Sequence, residues 1–450
     1  MLYGLWSGRR AHSSADFFVA GRQLGPGLLF STMLAANIGA GSTVGATAQG
    51  YSAGLSAWWW VGSAAIGSTA LAFWVGPALR RVAAAEGLSS VGDYLEFRYD
   101  RNVRGIVSVV VWTGSLLILS SQLIGLGWIL NVVAGIPKPV GTAIGGAVIT
   151  VYFAAGGLLT SARVNVLQLA VKVVGFAIAV PLAIAAAGGW SWLTSVKPSD
   201  TSYWSFWRSD VSLGFLVSFA PAFIVSPGLL QKIFGARDDR TVRLGVGLNA
   251  LGLLLYAGVP VVLGVAARGM FPELADSQQA LPMILTQALP PLVGAIGLAA
   301  VFSAEISAAD AVLLMLTTSL SQDLYKRFVA PDASDERVLR VAQTATLVSG
   351  SIGVVVATTN VNILAVVTIF YTLLTVSLVV PIIGGLFLPR LTTRDALTSI
   401  WAGVSAMLII HLSTHGRGWG LVTPALGGLG AAMFSSGASH ALVSNRRHRR

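Results

Sequence analysis

The sequence contains no cysteine, which excludes disulfide bonds, thiolate metal ligands and cysteine nucleophiles. Histidine is also scarce, and all five histidines lie at or near expected loops or helix ends: His12, His411, His415, His440 and His448. Charged residues make up only 10% of the 450 residues, whereas an average soluble domain has about 25%. Metal-dependent and acyl-transfer chemistry therefore lack their usual residues, and the sequence predicts neither an enzyme nor a soluble globular protein.

Hydrophobic residues, in contrast, make up 54% of the chain, and the mean hydropathy is +0.75. Apolar runs of about 20 residues recur along its whole length, and each is long enough to cross about 30 Å of hydrocarbon. The sequence predicts an all-α polytopic protein embedded in a lipid bilayer. Gly, Pro and charge clusters divide it into about 12 helices, at residues 25–50, 54–79, 103–134, 139–159, 164–188, 212–234, 243–267, 290–321, 338–358, 362–388, 396–412 and 420–441.

The net charge of +11 follows the loops of this predicted topology. The basic residues form no stripe with interleaved aromatics, so we expect no nucleic-acid partner. If the N-terminus is cytoplasmic, 23 of the 29 Lys and Arg residues fall in inside loops or tails, Lys232 among them. The positive-inside rule then predicts that both termini are cytoplasmic. We expect a multi-pass protein of the plasma membrane, here the inner membrane of a bacterium. Trp58, Trp59 and Trp60 are expected at the outer interface.

Two acidic residues, Glu305 and Asp310, stand out because they lie inside an apolar span. A charge at mid-bilayer costs about 2.5 to 3.5 kcal/mol, so such carboxylates usually face a bundle interior or a cation path. At 100° per residue both acids flank one face of small residues that includes Ala304, Ser307 and Ala308. The pattern favours a cation or proton site, and the alternative is two neutral carboxyl groups that hydrogen-bond to neighbouring helices.

Lys172 is the basic counterpart, in the span NVLQLAVKVVGFAIAV. Its side chain either extends to the inner interface or pairs with Glu305 or Asp310. We expect the second arrangement, in which these three residues form one charge cluster that takes part in coupling.

Two spans have the sequence of interrupted helices. LAANIGAGSTVGATAQG in the first span carries Asn37 among small residues, and FAPAFIVSPGLLQK in the sixth carries Pro221 and Pro227. Unwound backbone at membrane depth is tolerable where it lines a cavity or holds a cation, although ordinary proline kinks and packing glycines would produce the same pattern.

The two interrupted spans are corresponding positions if the chain contains two five-helix repeats of opposite topology. This interpretation divides the chain into a cytoplasmic segment (1–24), a first repeat (25–188), an external loop (189–211), a second, inverted repeat (212–388), and two additional helices with a basic tail (389–450). A binding site at the interface of the repeats follows.

Four stretches together resemble the sodium:solute symporter family: DFFVAGRQLGPGLLFSTMLAANIGAGSTVG, SARVNVLQ, IVSPGLLQKIFGARD and ISAADAVLLMLTTSLSQDLYKR. The resemblance implies the leucine-transporter-type fold with its 5+5 inverted repeat. It also implies a Na⁺ site, with Na⁺ as coupling ion, built from the backbone oxygens of Ala35, Ile38 and Ala304 and the hydroxyl of Ser307. Hard oxygen ligands of this kind suit Na⁺. The implied solute site is lined by Asn37, Ser42, Gln122, Phe219, Phe223, Ser226 and Tyr371.

The sequence departs from the family pattern at four places. The family's first helix is missing or truncated, and Met1 falls near its end, so we expect coding sequence upstream of Met1. Ala308 stands where the family has a second hydroxyl, and Asn165 replaces an aspartate. Glu305 and Lys172 are charges where the pattern is apolar or neutral, so the Lys172 ammonium is a candidate to stand in for Na⁺.

These features predict a monomeric secondary transporter that couples a small polar solute to a cation, most readily Na⁺, by alternating access. Three alternatives remain open from the sequence. They are a proton-coupled or sodium-independent transporter that uses Lys172, Glu305 and Asp310, a transporter-like sensor, and a passive channel.

Overall fold

The computed structural model describes residues 18–191, 201–359 and 362–448. Most of the expected N-terminal segment, part of the external loop and the last two residues of the tail lie outside these ranges. Within them the chain is almost wholly helical, in agreement with the predicted all-α class.

The helix boundaries follow from local sequence signals. Asp100 and Asp238 accept hydrogen bonds from the first backbone N–H groups of the helices that they precede. Ser90 and Thr392 each form a capping box with an aspartate three residues later. Gly135, at φ +65°, ends the helix before it in the left-handed conformation that glycine adopts without strain.

Sixteen α-helices of eight or more residues are described. They are α1 (Pro26–Asn37), α2 (Ala46–Ala53), α3 (Trp58–Ala70), α4 (Gly76–Ala85), α5 (Val91–Arg98), α6 (Arg101–Ala134), α7 (Lys138–Ala186), α8 (Ser209–Val225), α9 (Pro227–Phe234), α10 (Asp239–Tyr256), α11 (Gly258–Met270), α12 (Pro291–Thr318), α13 (Asp335–Thr359), α14 (Ile363–Val379), α15 (Thr393–Ser413) and α16 (Pro424–His448).

A π-helix of 11 residues, Ser319–Val329, and shorter helical turns connect or extend these α-helices. Wide, π-helical turns are Gly41–Gly45, Leu71–Val75, Ile284–Ala288 and Val380–Gly384. The others are Ala20–Arg22, Gly54–Ala57, Thr201–Trp204, Ser277–Gln279, Ala280–Met283 and Gly385–Phe387.

The expected interruptions of the first and sixth spans are present. Helical backbone stops after Asn37 and resumes at Gly41, and α8 and α9 are separated at Ser226. A difference occurs at α7, which is one helical element where two helices, 139–159 and 164–188, are predicted. Residues 160–163, TSAR, contain neither Gly nor Pro, so they do not interrupt the helical backbone.

In the described ranges, nine helical segments are long and apolar enough to cross a membrane. The predicted number of about 12 also counts interrupted or less apolar segments such as α1, which has only 12 residues. The number and the inverted repeat stay predictions.

The helices at the centre of the bundle position the polar residues. α12 packs against α6 and α7, and α1 lies between α7, α10 and α12. α8 packs against α3 and α14, and α15 and α16 pack against each other. The interrupted parts of α1 and α8–α9 are thus enclosed by helices.

Arg104 organises an ion-pair network at the end of the bundle that is predicted to be cytoplasmic. Its guanidinium lies 2.8 Å from Asp93, 3.0 Å from Glu96 and 2.9 Å from Asp323. The Arg104 side chain is 8% exposed and that of Asp323 is 7% exposed. A buried carboxylate depends on such a partner, because an unpaired buried charge is costly.

We expect Arg104→Met to lower the free energy of unfolding by about 3 to 5 kcal/mol, because Asp323 loses its counter-charge in a buried position. Arg101→Met is the matched control, since Arg101 is exposed at the start of the same helix. Thermal unfolding of the purified variants measures the difference. Equal transition temperatures for the two variants would contradict the assigned role of Arg104.

Candidate functional site

The backbone break after α1 exposes main-chain groups that neighbouring side chains satisfy. Ile38 has an extended conformation, with φ −98° and ψ 95°. The Ala40 N–H donates to Gln122 Oε1 at 2.8 Å, and the Ser42 hydroxyl lies 3.0 Å from the Asn37 carbonyl oxygen. Backbone groups that lack a helical partner therefore form hydrogen bonds with Gln122 on α6 and with Ser42 next to the break.

Gly39 permits this close approach of three elements. A Cβ atom at this position would overlap the Ala308 Cβ on α12 and would lie 2.6 Å from Gln122 Oε1 on α6. Ala308 therefore packs directly against the break.

The Lys172 ammonium on α7 lies against the C-terminal end of α1. It donates to the carbonyl oxygens of Ala35 at 2.6 Å and Ile38 at 3.2 Å, and also to the Ser307 hydroxyl oxygen. Ser307 Oγ is also 2.7 Å from the Ala35 oxygen and 3.0 Å from the Ala304 oxygen. Lys172 is 1% exposed, so its side chain does not extend to the interface.

These oxygens are those that the sequence resemblance assigns to Na⁺. The structure brings Ala35, Ile38 and Ser307 together, but around an ammonium. Two unit charges 4 Å apart repel by about 4 kcal/mol at the effective dielectric constant of protein sites. The set does not fit Na⁺ while Lys172 remains in it.

The two acidic residues of α12 are fully buried near this lysine. Thr43 Oγ1 donates to Glu305 Oε1 at 3.2 Å, and Ser161 Oγ donates to Asp310 Oδ2 at 3.3 Å. Both carboxyl groups are close enough to interact electrostatically with Lys172, Glu305 more strongly. The hydrogen bonds of the ammonium, however, go to the neutral oxygens of α1 and α12. A charge cluster that takes part in coupling stays a prediction.

A second lysine, Lys232, is buried, although the sequence predicts it in a cytoplasmic loop. It lies in α9, is 1% exposed, and donates to the Thr32 carbonyl oxygen at 2.8 Å. Asp310 interacts with its charge. The nearby Pro227, which starts α9 inside the apolar run, is the signal that could have placed Lys232 inside the bundle.

A cavity of about 70 Å³ lies beside the two broken helices. All seven residues of the expected solute site line it, namely Asn37, Ser42, Gln122, Phe219, Phe223, Ser226 and Tyr371. Lys232, Gly39 and Ala308 line it too, so the cavity adjoins the same break that the Lys172 ammonium contacts.

Trp60 also lines the cavity, although the sequence assigned it to the outer interface with Trp58 and Trp59. The centroid of its ring lies 4.8 Å from that of the Phe219 ring. The centroids of the Phe219 and Tyr371 rings are 4.9 Å apart. Trp59, in contrast, contacts Phe206 and Trp207. Successive helical residues point 100° apart, so three consecutive tryptophans do not share one surface.

Comparison with known proteins identifies the class. The sequence model of the sodium:solute symporter family matches residues 17–403, so the chain belongs to this family.

Individual relatives agree with this assignment. The chain is 24% identical to the high-affinity proline transporter of Bacillus subtilis, over 91% of this chain and 89% of that protein. It is 25% identical to the sodium/pantothenate symporter of Escherichia coli, over 91% and 87% of the two chains. Among solved structures, a Na⁺-coupled sialic acid symporter in a substrate-bound outward-open state superposes with a TM-score of 0.81 at 17% identity, over 98% and 95% of the chains.

The family and fold confirm several predictions made from the sequence. The chain is a multi-pass membrane transporter of the leucine-transporter-type fold and not an enzyme, and its function is cation-coupled symport of small solutes. Family membership also supports Na⁺ as the coupling ion.

We expect Gly39→Ala to destabilise the protein by about 1 to 3 kcal/mol, because the added methyl group overlaps Ala308 and the Gln122 amide. Gly27→Ala on α1 is the control, since a Cβ there meets no atom within 4 Å. Thermal unfolding measures both variants, and Ala308→Gly should recover part of the loss. A Gly39→Ala protein as stable as the Gly27 variant would show that the break does not require this contact.

Proposed function

We propose that the cavity beside the broken helices is the solute site. We also propose that its solute is a small polar molecule with a carboxylate group, in the favoured case a zwitterion. The single observation that carries this proposal is the convergence of the seven expected residues on one cavity at the break of α1.

The polar groups of the cavity support the chemical class. Asn37, Ser42, Gln122 and Ser226 supply amides and hydroxyls, and the aromatic rings of Phe219, Phe223 and Tyr371 supply an apolar wall. Among the described lining residues Lys232 is the charged one, and it favours an anionic group in the solute. The volume of about 70 Å³ favours a small solute or a movement of the aromatic wall on binding.

The names of the relatives do not specify the solute. They include transporters for proline, pantothenate, glucose, choline and iodide, which differ in charge and size. The assignment of a carboxylate therefore depends on Lys232 and on the lining of this cavity.

Alternating access gives the two broken helices a mechanical role. In this proposal residues 25–188 and 212–388 are inverted repeats, and α1 and α8–α9 meet at their interface. Movement of one repeat against the other then opens the cavity to each side in turn. Residues 389–450 contribute the two additional helices and the basic tail.

The proposed environment follows the distribution of charge in the sequence. The protein acts as a monomer in the plasma membrane, with both termini on the cytoplasmic side, and no nucleic-acid partner is proposed.

The solute is found by thermal-shift screening of the purified protein against a library of small carboxylates, zwitterions, sugars and amides, with and without Na⁺. Ligands that stabilise the protein are then tested for accumulation in proteoliposomes under an imposed cation gradient. Accumulation above the external concentration distinguishes symport from passive channel activity.

We expect Phe223→Ala to raise the half-saturating solute concentration at least tenfold, because one aromatic wall of the cavity is removed. Phe73→Ala is the matched control, since Phe73 is 61% exposed on the outside of the bundle. Lys232→Met should abolish the preference for a carboxylate over its amide. If both cavity variants bind solute as the control does, the solute site lies elsewhere.

A further inference from the structure

We propose that the Lys172 ammonium is a built-in cation that takes the place of Na⁺ at the oxygen set of Ala35, Ile38 and Ser307. This inference rests on the proposed transport function and names the cation at this set. Its test measures ion binding and requires no solute.

The geometry of the ammonium supports this assignment. An ammonium group has three N–H donors, and Lys172 has three oxygen acceptors on α1 and α12. The carbonyls of Ala35 and Ile38 flank the point where α1 stops, so their oxygens have lost their usual helical partners. The ammonium satisfies them as a bound cation would.

The helix that carries Lys172 is fixed at this depth by polar contacts on the same side. Asn165 donates to the Thr32 hydroxyl at 3.0 Å, and Ser161 donates to Asp310 at 3.3 Å. Ser161 and Asn165 are one turn apart on α7, and Lys172 lies about two turns further along. Contacts to both α1 and α12 therefore hold the lysine in register with the break.

The remaining features of the set also favour an ammonium. Ala308, which follows Ser307 on α12, carries a methyl group and supplies no side-chain oxygen to the set. Glu305 is fully buried on α12, two residues before Ser307, and it attracts the ammonium electrostatically. The lysine thus supplies both the charge and the donors that this region requires.

One consequence concerns the coupling ion. A cation covalently attached to α7 cannot exchange with the solution, so this set joins α1, α7 and α12 without external Na⁺. Sodium coupling, which family membership supports, then requires oxygens outside this set.

The test measures Na⁺-dependent stabilisation of the purified full-length protein, as thermal unfolding in NaCl against choline chloride at constant ionic strength. In the wild-type background we expect Ser307→Ala to leave the Na⁺ response unchanged, because Na⁺ does not contact Ser307. Lys172→Met should create a vacancy beside Glu305 and lower the half-saturating Na⁺ concentration at least tenfold. Adding Ser307→Ala to Lys172→Met should reverse this gain.

Two control variants separate the role of the charge from that of packing. Lys172→Arg keeps a cation and should show no gain of Na⁺ response, and Arg101→Met removes an exposed cation outside the set and should show none either. The proposal would be overturned if Ser307→Ala abolished the stabilisation by Na⁺ that the wild-type protein shows. It would also be overturned if Lys172→Met folded but did not bind Na⁺ more tightly than the wild-type protein. If Lys172→Met does not fold, the wild-type and Ser307→Ala comparison decides. Neither result depends on whether the cavity binds the proposed solute.

Discussion

The constraint that governs this structure is the interruption of the helix at residues 38–40, in the interior of an apolar bundle. A carbonyl or N–H group without a partner costs several kcal/mol in such surroundings, so each group freed by the break must find one. Lys172 and Ser307 bind the carbonyls, and the amide of Gln122 binds the Ala40 N–H. The polar residues of α6, α7 and α12 therefore act as substitutes for the missing helical hydrogen bonds, and their positions follow from the position of the break.

The same short segment connects the two functional regions. Ala35 and Ile38 contact the ammonium. The residues of this segment that line the proposed solute cavity are Ala36, Asn37, Gly39, Gly41 and Ser42. We expect a change in this backbone to alter both sets of contacts, because the two sets involve adjacent residues of one short segment. Coupling between two sites requires such a shared element with more than one arrangement. The break supplies the element, and Gly39 allows it to lie against both α6 and α12.

The parts of the site that the sequence predicts are those with local signals. Asn37 with its small neighbours, and Pro227 after Ser226, interrupt helices through their own chemistry, so both breaks are visible without tertiary information. The sequence does not predict that Lys232 and Trp60 are buried, because their surroundings depend on the rotation of each helix and on the helices that pack against it. Charge balance predicts acidic partners for Lys172. It does not reveal that the ammonium instead donates its hydrogen bonds to the carbonyl oxygens freed by the break and to the Ser307 hydroxyl.

A tethered ammonium and an exchangeable ion satisfy the same oxygens but have different thermodynamic consequences. An ion that enters from solution carries the free energy of its gradient into the conformational equilibrium, because its differential affinity for two states shifts their populations. A lysine that is present in every state carries no such gradient energy while its charge is unchanged, and contributes only stability to the break. The energy for uphill transport must therefore enter through a group that exchanges with the solution. As long as the charge of Lys172 does not change, this lysine stabilises the architecture of the site, and the energy for transport has to enter through other groups that exchange with the solution.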